Sequence, residues 1–136
     1  MQRTYNAQQF PEAKYILTLR NSAEEWYNSL VAFHEKVFGS PLDSSLLKNV
    51  NYRYSGFAWE ANRVLYSSPE NDPYKKENLI ADYEAHRAQV VKDFAGSKNL
   101  LVLKIQDPEA PQKLSEFLEL KMAIAKMPWL NKTEKI

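Results

Sequence analysis

Two short apolar runs set the strongest limit on how this chain can fold. They are KYILTLR at residues 14–20 and NLLVLKI at residues 99–105. Apolar runs of this length with β-branched residues predict buried strands. The second run is apolar almost throughout, which is typical of a strand covered on both faces in a parallel sheet under helices.

Helical patterns occupy the chain between the two runs. Apolar residues recur there at steps of three and four, as they do in a helix with one buried face. The segments with this pattern are residues 23–38, 44–50, 52–64 and 78–95, and a further short helix follows Pro108. The two longest segments are followed by Gly39 and Gly96, and glycine commonly ends helices. The third segment is interrupted near Gly56, and residues 67–73 predict a loop.

Strands that alternate with helices imply an α/β fold with parallel strands and a right-handed crossover. The 136 residues suit a single domain over residues 1–136. We therefore predict a helix-rich α/β domain with two parallel strands, near 14–20 and 99–105, and flanking helices. Two strands alone make a poor sheet. They must pair under many helices, lack a third strand, or receive one from a second copy of the chain.

The composition excludes several classes of partner and site. The 18 Lys and Arg residues balance 17 Asp and Glu residues, so the chain lacks the basic field that binds nucleic acid. With no cysteine, it has neither disulfides nor zinc–thiolate sites, and its two histidines lack convincing carboxylate partners for a metal. No apolar run approaches the ~20 residues of a membrane span. We expect a cytoplasmic protein without metal, membrane or nucleic-acid partners.

The glycine content limits how these residues can bind a nucleotide. The chain has three glycines, which lie far apart at Gly39, Gly56 and Gly96. Phosphate loops of the G-x-x-x-x-G-K-[ST] type need clustered glycines so that several backbone amides converge on the anion. Neither this motif nor G-x-G-x-x-G occurs, so these residues alone do not hold a β-phosphate in the usual way.

Arg20 stands where the first predicted strand meets the first long helix. Ligands of open α/β sheets bind at the carboxyl ends of the strands, and the amides of a helix start favour an anion. The guanidinium of arginine suits phosphate oxygens because it offers a planar fork of donors. Arg20 is therefore a candidate for an anion site. The alternative is an ion pair with Glu24 or with a carboxylate elsewhere.

Several segments carry a family likeness in their order and spacing. FPEAKYILTLRNSAEEWYNSLVAFHEKVFG combines a proline–acid–alanine–lysine lead, an apolar strand, an arginine, a polar turn and a tryptophan–tyrosine–x–serine run. Later segments are YRYSGFAWEANRVLY, DPYKKENLIADYEAHRAQVVKDF, NLLVLKI and MPWLNKT. Together, over residues 8–133, they resemble one branch of the sulfotransferases that use 3′-phosphoadenosine 5′-phosphosulfate (PAPS).

The resemblance implies a cofactor and residues to bind it. In that family the arginine after this strand and a serine on the following helix hold the 3′-phosphate of the cofactor, and the matching positions are Arg20 and Ser29. Lys132 is a further candidate for a phosphate contact. The implied ligand is PAPS or its product, adenosine 3′,5′-bisphosphate, and no catalytic residue is identified. The alternatives are a polar residue on a half-exposed helix face for Ser29 and a solvated lysine for Lys132.

The chain also departs from the family pattern. The family's phosphate loop, which follows an N-terminal strand in the middle of the sheet, has no counterpart here, and Pro111 falls near a family tryptophan. The resemblance thus implies the second half of a sulfotransferase fold, with half of a cofactor site, and we expect no sulfuryl transfer by this chain alone. Its two strands would flank a gap. They either pair directly or accept a strand from a second copy, and we expect a homodimer.

Two questions stay open from the sequence. His34 could serve as a base beside a cleft, although nothing at a telling spacing pairs with it. The aromatic residues of 52–66 could line an apolar ligand pocket or could belong to the core. The alternative to a sulfotransferase-like function is a non-enzymatic α/β domain that acts by self-association or by binding another protein.

Overall fold

The computed structural model describes residues 8–122 and 124–128. The chain divides into two compact units. Of the described residues, 8–22, 86–122 and 124–128 form one unit, the strand unit, and 23–85 form the other, the helical unit. In chain order the elements are β1 (Tyr15–Leu19), α1 (Ala23–Phe38), α2 (Ser44–Asn49), β2 (Asn51–Tyr52), β3 (Tyr54–Ser55), α3 (Phe57–Leu65), α4 (Lys76–Asp93), β4 (Leu100–Lys104) and α5 (Ala110–Phe117).

The strand unit contains the parallel sheet that the sequence predicts. β1 and β4 pair directly, from Tyr15 opposite Leu100 to Leu19 opposite Lys104. This confirms the helix-rich α/β class with two parallel strands. Direct pairing is one of the two arrangements expected from the resemblance, and it leaves no gap between these strands.

Burial in this sheet is less complete than the apolar run predicts. Leu17 and Leu103 are buried, but Ile16 and Val102 are each 42% exposed. The expectation that β4 is covered on both faces is therefore wrong at Val102. The physical reason is that a sheet of two strands is too narrow for layers of helices to cover both of its faces.

The helical unit is organised around one apolar cluster. Its buried members are Leu47, Ala58, Tyr74 and Leu79, which come from α2, α3, the following loop and α4. The apolar stripe predicted on α1 packs against this cluster, together with residues from the neighbouring segments; the partly buried members are Trp26, Tyr27, Leu30, Val31, Phe38, Leu42, Val50, Trp59 and Tyr66. The bounds of α1 are those that the periodicity predicts.

The segment before α3 differs from the prediction of a helix over 52–64. Asn51–Tyr52 and Tyr54–Ser55 form a small antiparallel pair, and α3 begins only at Phe57. The backbone takes positive φ at Arg53 (64°) and at Gly56 (90°). Because a right-handed helix cannot continue through such residues, the interruption near Gly56 is confirmed and the helical assignment of residues 52–55 is wrong.

Buried polar contacts hold the loop between α3 and α4. The Arg63 guanidinium donates to the Ser68 carbonyl at 2.7 Å, to Ser68 Oγ at 2.9 Å and to Asn62 Oδ1 at 2.5 Å. Asn62 Nδ2 and Ser68 Oγ both donate to the Pro73 carbonyl. The guanidinium also lies 4.7 Å from the Trp59 ring centre. Asn62 and Ser68 can be buried because each of them has hydrogen-bond partners.

Candidate functional site

Arg20 lies where the sequence places it, directly after β1, and is half-buried. Because β1 and β4 are parallel, their carboxyl ends lie at the same end of the sheet. Arg20, which follows β1, therefore lies at the end of the sheet where β4 also ends. In the helical unit, Lys76 Nζ lies 2.6 Å from Oε1 of Glu24, and this contact lowers the pKa of the Glu24 carboxyl. The carboxylate that the sequence offers as a partner for Arg20 is thus engaged with a lysine.

The carboxyl edge of the sheet carries further charge. Lys104 ends β4 and pairs in register with Leu19, the residue before Arg20. Asp107 follows shortly after β4 and accepts a hydrogen bond from Lys113 Nζ at 2.5 Å, which lowers the pKa of the Asp107 carboxyl. Arg20 and Lys104 thus place two cationic side chains at the carboxyl end of the sheet, and Lys104 also acts electrostatically on Asp107. Cationic side chains at the carboxyl end of a parallel sheet favour an anionic ligand.

The other two predicted phosphate contacts lie in different parts of the chain. Ser29 is half-buried, two turns from the start of α1, and belongs to the helical unit, whereas Arg20 belongs to the strand unit. Lys132 lies outside the described residues. The grouping of Arg20, Ser29 and Lys132 around one phosphate stays a prediction.

A second candidate site is a cavity inside the helical unit, with a volume of about 240 Å³. At its base, Ala58, Asn62 and Tyr74 are less than 10% exposed, while Phe33 and Leu65 at its mouth are 41% and 62% exposed. Its lining comes from α1, α3, β2 and the loop before α4, and consists of Phe33, His34, Val37, Phe38, Tyr52, Phe57, Ala58, Ala61, Asn62, Leu65, Tyr66 and Tyr74. The sequence left open whether residues 52–66 line a pocket or form the core, and these side chains do both.

His34 and Tyr74 form a hydrogen-bonded pair in the wall of this cavity. His34 Nδ1 lies 2.5 Å from the Tyr74 hydroxyl, and the two rings are perpendicular with centres 5.6 Å apart. Burial lowers the pKa of His34 and raises the pKa of Tyr74, because a charge on either ring would lose its hydration. Both groups are therefore neutral at pH 7.

The pair leaves one ring nitrogen for other contacts. Within the described residues, His34 Nε2 has no hydrogen-bond partner and is accessible to solvent. If Tyr74 donates to Nδ1, Nε2 carries the ring proton and donates; if Nδ1 donates to the tyrosine oxygen, Nε2 accepts. The pair can thus offer a neutral donor or a neutral acceptor to a ligand.

Sequence reasoning named His34 as a candidate base but missed Tyr74. The two residues lie 40 positions apart, and no motif spacing signals a contact between them. It also missed Lys104, whose place beside Leu19 depends on the register of the sheet. The parallel arrangement predicted that the end of β4 lies beside the end of β1. Which residue of β4 lies opposite Leu19 depends on the register, and the sequence does not give the register.

Two features are absent from the described part of the chain. No group of three or more histidine, cysteine or acidic side chains is placed to hold a metal ion there. Nor do the described residues contain a helix that is both long and apolar enough to cross a membrane.

Comparison with known proteins links the sequence to one family. A family model described as a sulfotransferase domain matches residues 6–136, which include parts of both compact units. Comparison with curated proteins and with solved structures gives no match.

Proposed function

The chain belongs to the sulfotransferase domain family, and from this premise we propose that it binds the 3′-phosphate of PAPS or of adenosine 3′,5′-bisphosphate. Arg20, Ser29 and Lys132 are the proposed contacts. The match over residues 6–136 confirms the family resemblance found in the sequence. A transferase family is established by it, while the cofactor and its contacts are proposals about this chain.

The observation that carries the proposal is the position of Arg20 at the carboxyl edge of a parallel sheet. Ligands of α/β folds bind at this edge, because the loops there leave the strands on the same side. Arg20 and Lys104 supply positive charge, and a guanidinium can donate two parallel hydrogen bonds to one phosphate. The residues present therefore fit a phosphate group.

These residues support only part of a cofactor site. PAPS, when bound, supplies an activated sulfuryl group on its 5′-phosphate. The three glycines of these 136 residues are scattered, and no glycine-rich loop converges backbone amides on that group. We propose that the chain binds and orients the 3′-phosphate and does not by itself stabilise the charge that develops during sulfuryl transfer.

Calorimetric titration with adenosine 3′,5′-bisphosphate tests the proposal. Replacing Arg20 with alanine removes a charge-assisted contact worth roughly 1.5–3 kcal/mol, so affinity should fall by about ten- to a hundredfold. Arg87→Ala, which removes an exposed arginine from α4, is the matched control and should bind as the parent does. Adenosine 5′-monophosphate, which lacks the 3′-phosphate, should bind more weakly than the bisphosphate. No binding by the parent chain at millimolar bisphosphate would contradict the proposal.

Self-association is a second candidate, favoured by the exposure of the sheet. β1 and β4 have only each other as strand partners in the described residues, so each keeps one outer edge, and Ile16 and Val102 are exposed. Unpaired edges with apolar neighbours attract further strands. We propose a homodimer in which a second copy extends this sheet at an outer edge. Light scattering should give twice the chain mass, with Val102→Lys shifting it toward one chain; a single-chain mass for the parent would refute it.

A further inference from the structure

We propose that the cavity of the helical unit binds a small uncharged molecule of about two fused aromatic rings that carries one N–H or O–H group. The cavity is built entirely from residues between Phe33 and Tyr74. This proposal is separate from the nucleotide site, since it uses none of Arg20, Ser29 and Lys132.

The size of the cavity favours a small molecule over a protein segment. An engineered apolar cavity of about 150 Å³ binds benzene, so the 240 Å³ here has room for a two-ring compound. The base is formed by buried side chains, Ala58 at 4% and Asn62 at 3% exposure. A ligand that reached this base would lose most of its contact with water, as ligands in small-molecule pockets do.

The walls are suited to a flat apolar ring. Phe38 packs edge-on against Tyr52 with ring centres 5.3 Å apart, and Tyr52 contacts Phe57 at 5.9 Å. Each ring is therefore held by another. Aromatic rings that are already positioned bind a further ring in stacked or edge-on geometry with little loss of conformational freedom.

Among the polar groups of the cavity, we assign the anchoring hydrogen bond to His34. Asn62 is already satisfied, because its Nδ2 donates to the Pro73 carbonyl and its Oδ1 accepts from Arg63. His34 Nδ1 is engaged with Tyr74, while His34 Nε2 and the hydroxyls of Tyr52 and Tyr66, which also line the cavity, have no hydrogen-bond partner among the described residues. Of the two tautomers, the proposal uses the one in which Nδ1 is protonated and donates to the tyrosine oxygen, so that Nε2 accepts from a ligand N–H or O–H.

The charge of the lining excludes ionised ligands. None of the described residues that line the cavity carries a charged side chain, and both members of the His34–Tyr74 pair are neutral at pH 7. A carboxylate or ammonium group would leave water here without gaining an opposite charge. The ligand is therefore uncharged in the part that enters.

A titration followed by ¹H–¹⁵N NMR tests these points with three probes of similar shape. Indole carries an N–H donor, benzothiophene has the same ring outline without the donor, and indole-3-carboxylate adds a charge. We expect indole to shift the amides of His34, Ala58 and Ala61 and to bind about three- to tenfold more tightly than benzothiophene, since one hydrogen bond contributes that much. Indole-3-carboxylate should bind most weakly.

Variants separate the hydrogen bond from the apolar cavity. His34→Phe should keep benzothiophene binding and remove the preference for indole, which a merely structural effect would not do selectively. Ala61→Trp should fill the cavity and abolish binding of both probes. Glu35→Gln, on the exposed side of α1, is the matched control and should bind as the parent does.

Three results would overturn the proposal. They are the absence of amide shifts in the parent chain at millimolar indole, tighter binding of the carboxylate than of indole, and a preference for indole that survives in His34→Phe. The first two use the unsubstituted chain, so they decide the matter even where a variant fails to fold.

Discussion

In the helical unit the buried side chains of α2, α3 and α4 meet in one cluster, whereas the strand unit buries Leu17 and Leu103 and leaves Ile16 and Val102 exposed on the same two strands. The first unit joins distant segments by side-chain packing and by buried hydrogen bonds around Arg63. The second combines one parallel strand pairing with buried side chains from two helices, Val90 of α4 and Ala110 of α5. A side-chain cluster leaves no backbone hydrogen-bonding groups unpaired, whereas a pair of strands has two outer edges with unpaired N–H and C=O groups. A further strand can therefore bind to the strand unit more readily than to the helical unit.

Truncation of the core of each unit should have the largest effect. Leu47 in the helical unit is 0% exposed and Leu103 in the strand unit is 1% exposed. Leu47→Ala and Leu103→Ala should each lower the free energy of unfolding by about 2–5 kcal/mol, because each leaves a cavity that the surroundings fill only partly. Urea unfolding followed by far-UV circular dichroism measures both changes.

The same experiment examines whether the two units unfold together, as the predicted single domain requires. In that case both variants shift one common transition. Two separate transitions, each shifted by only one variant, would contradict a single cooperative domain. Val64→Ala, at a residue 84% exposed, is the control and should change the free energy of unfolding by less than about 0.5 kcal/mol.

Arg63→Lys should destabilise the helical unit by roughly 1–3 kcal/mol. A lysine cannot reproduce the fork that donates to both Asn62 Oδ1 and Ser68, so a buried acceptor loses its partner. The control is Lys48→Arg. Lys48 Nζ lies 4.6 Å from the centre of the Trp59 ring, which Arg63 also contacts, and the substitution keeps a cation beside that ring. Equal stability of Arg63→Lys and the parent in denaturant unfolding would show that this network contributes little.

Acid should weaken the helical unit through His34. Burial lowers the pKa of His34 below its value of 6.5, so the unfolded chain takes up this proton first as the pH falls. The stabilising contribution is therefore complete above pH 6.5 and is lost progressively below it. The groups that face the imidazole are the Tyr74 hydroxyl and the rings of Phe33 and Phe38, none of which titrates in this range.

The measurement is the melting temperature between pH 7.5 and 5, in the parent and in His34→Phe. The parent should lose more stability than the variant over this interval. His86 is present in both forms, and Glu24 and Asp107, whose pKa values are lowered, titrate below this window. Parallel pH profiles for the two forms would be incompatible with a buried neutral His34.

Removal of an exposed ion pair in the strand unit should have the smallest effect. Lys113 Nζ contacts Asp107 and lies 3.7 Å from Glu109, and both side chains of the Lys113–Asp107 pair remain accessible to water. Lys113→Gln should change the melting temperature by less than Arg63→Lys does, and the change should shrink as salt is added. If Lys113→Gln lowered the melting temperature as much as Arg63→Lys does, and salt did not reduce the change, the polar contacts of the two units would contribute equally to stability.

Local patterns in the sequence were sufficient for most of the elements. The spacing of Trp26, Leu30 and Phe33 predicted α1, and the apolar runs predicted β1 and β4 to within one residue at each end. These signals arise within a few residues along the chain, where backbone conformation and the direction of successive side chains are set. The antiparallel pair before α3 was missed because it depends on a left-handed residue, Arg53, which composition does not announce.

Some features of the candidate sites could likewise be predicted from the sequence, and others could not. The family and the position of Arg20 after a strand followed from the order of motifs in the sequence. The His34–Tyr74 pair, the hydrogen bonds of Arg63 and the cavity became visible only in three dimensions. Periodicity identifies which side of a helix is apolar, but which side chains meet across a core depends on how helices pack against each other, and that is a property of the whole fold.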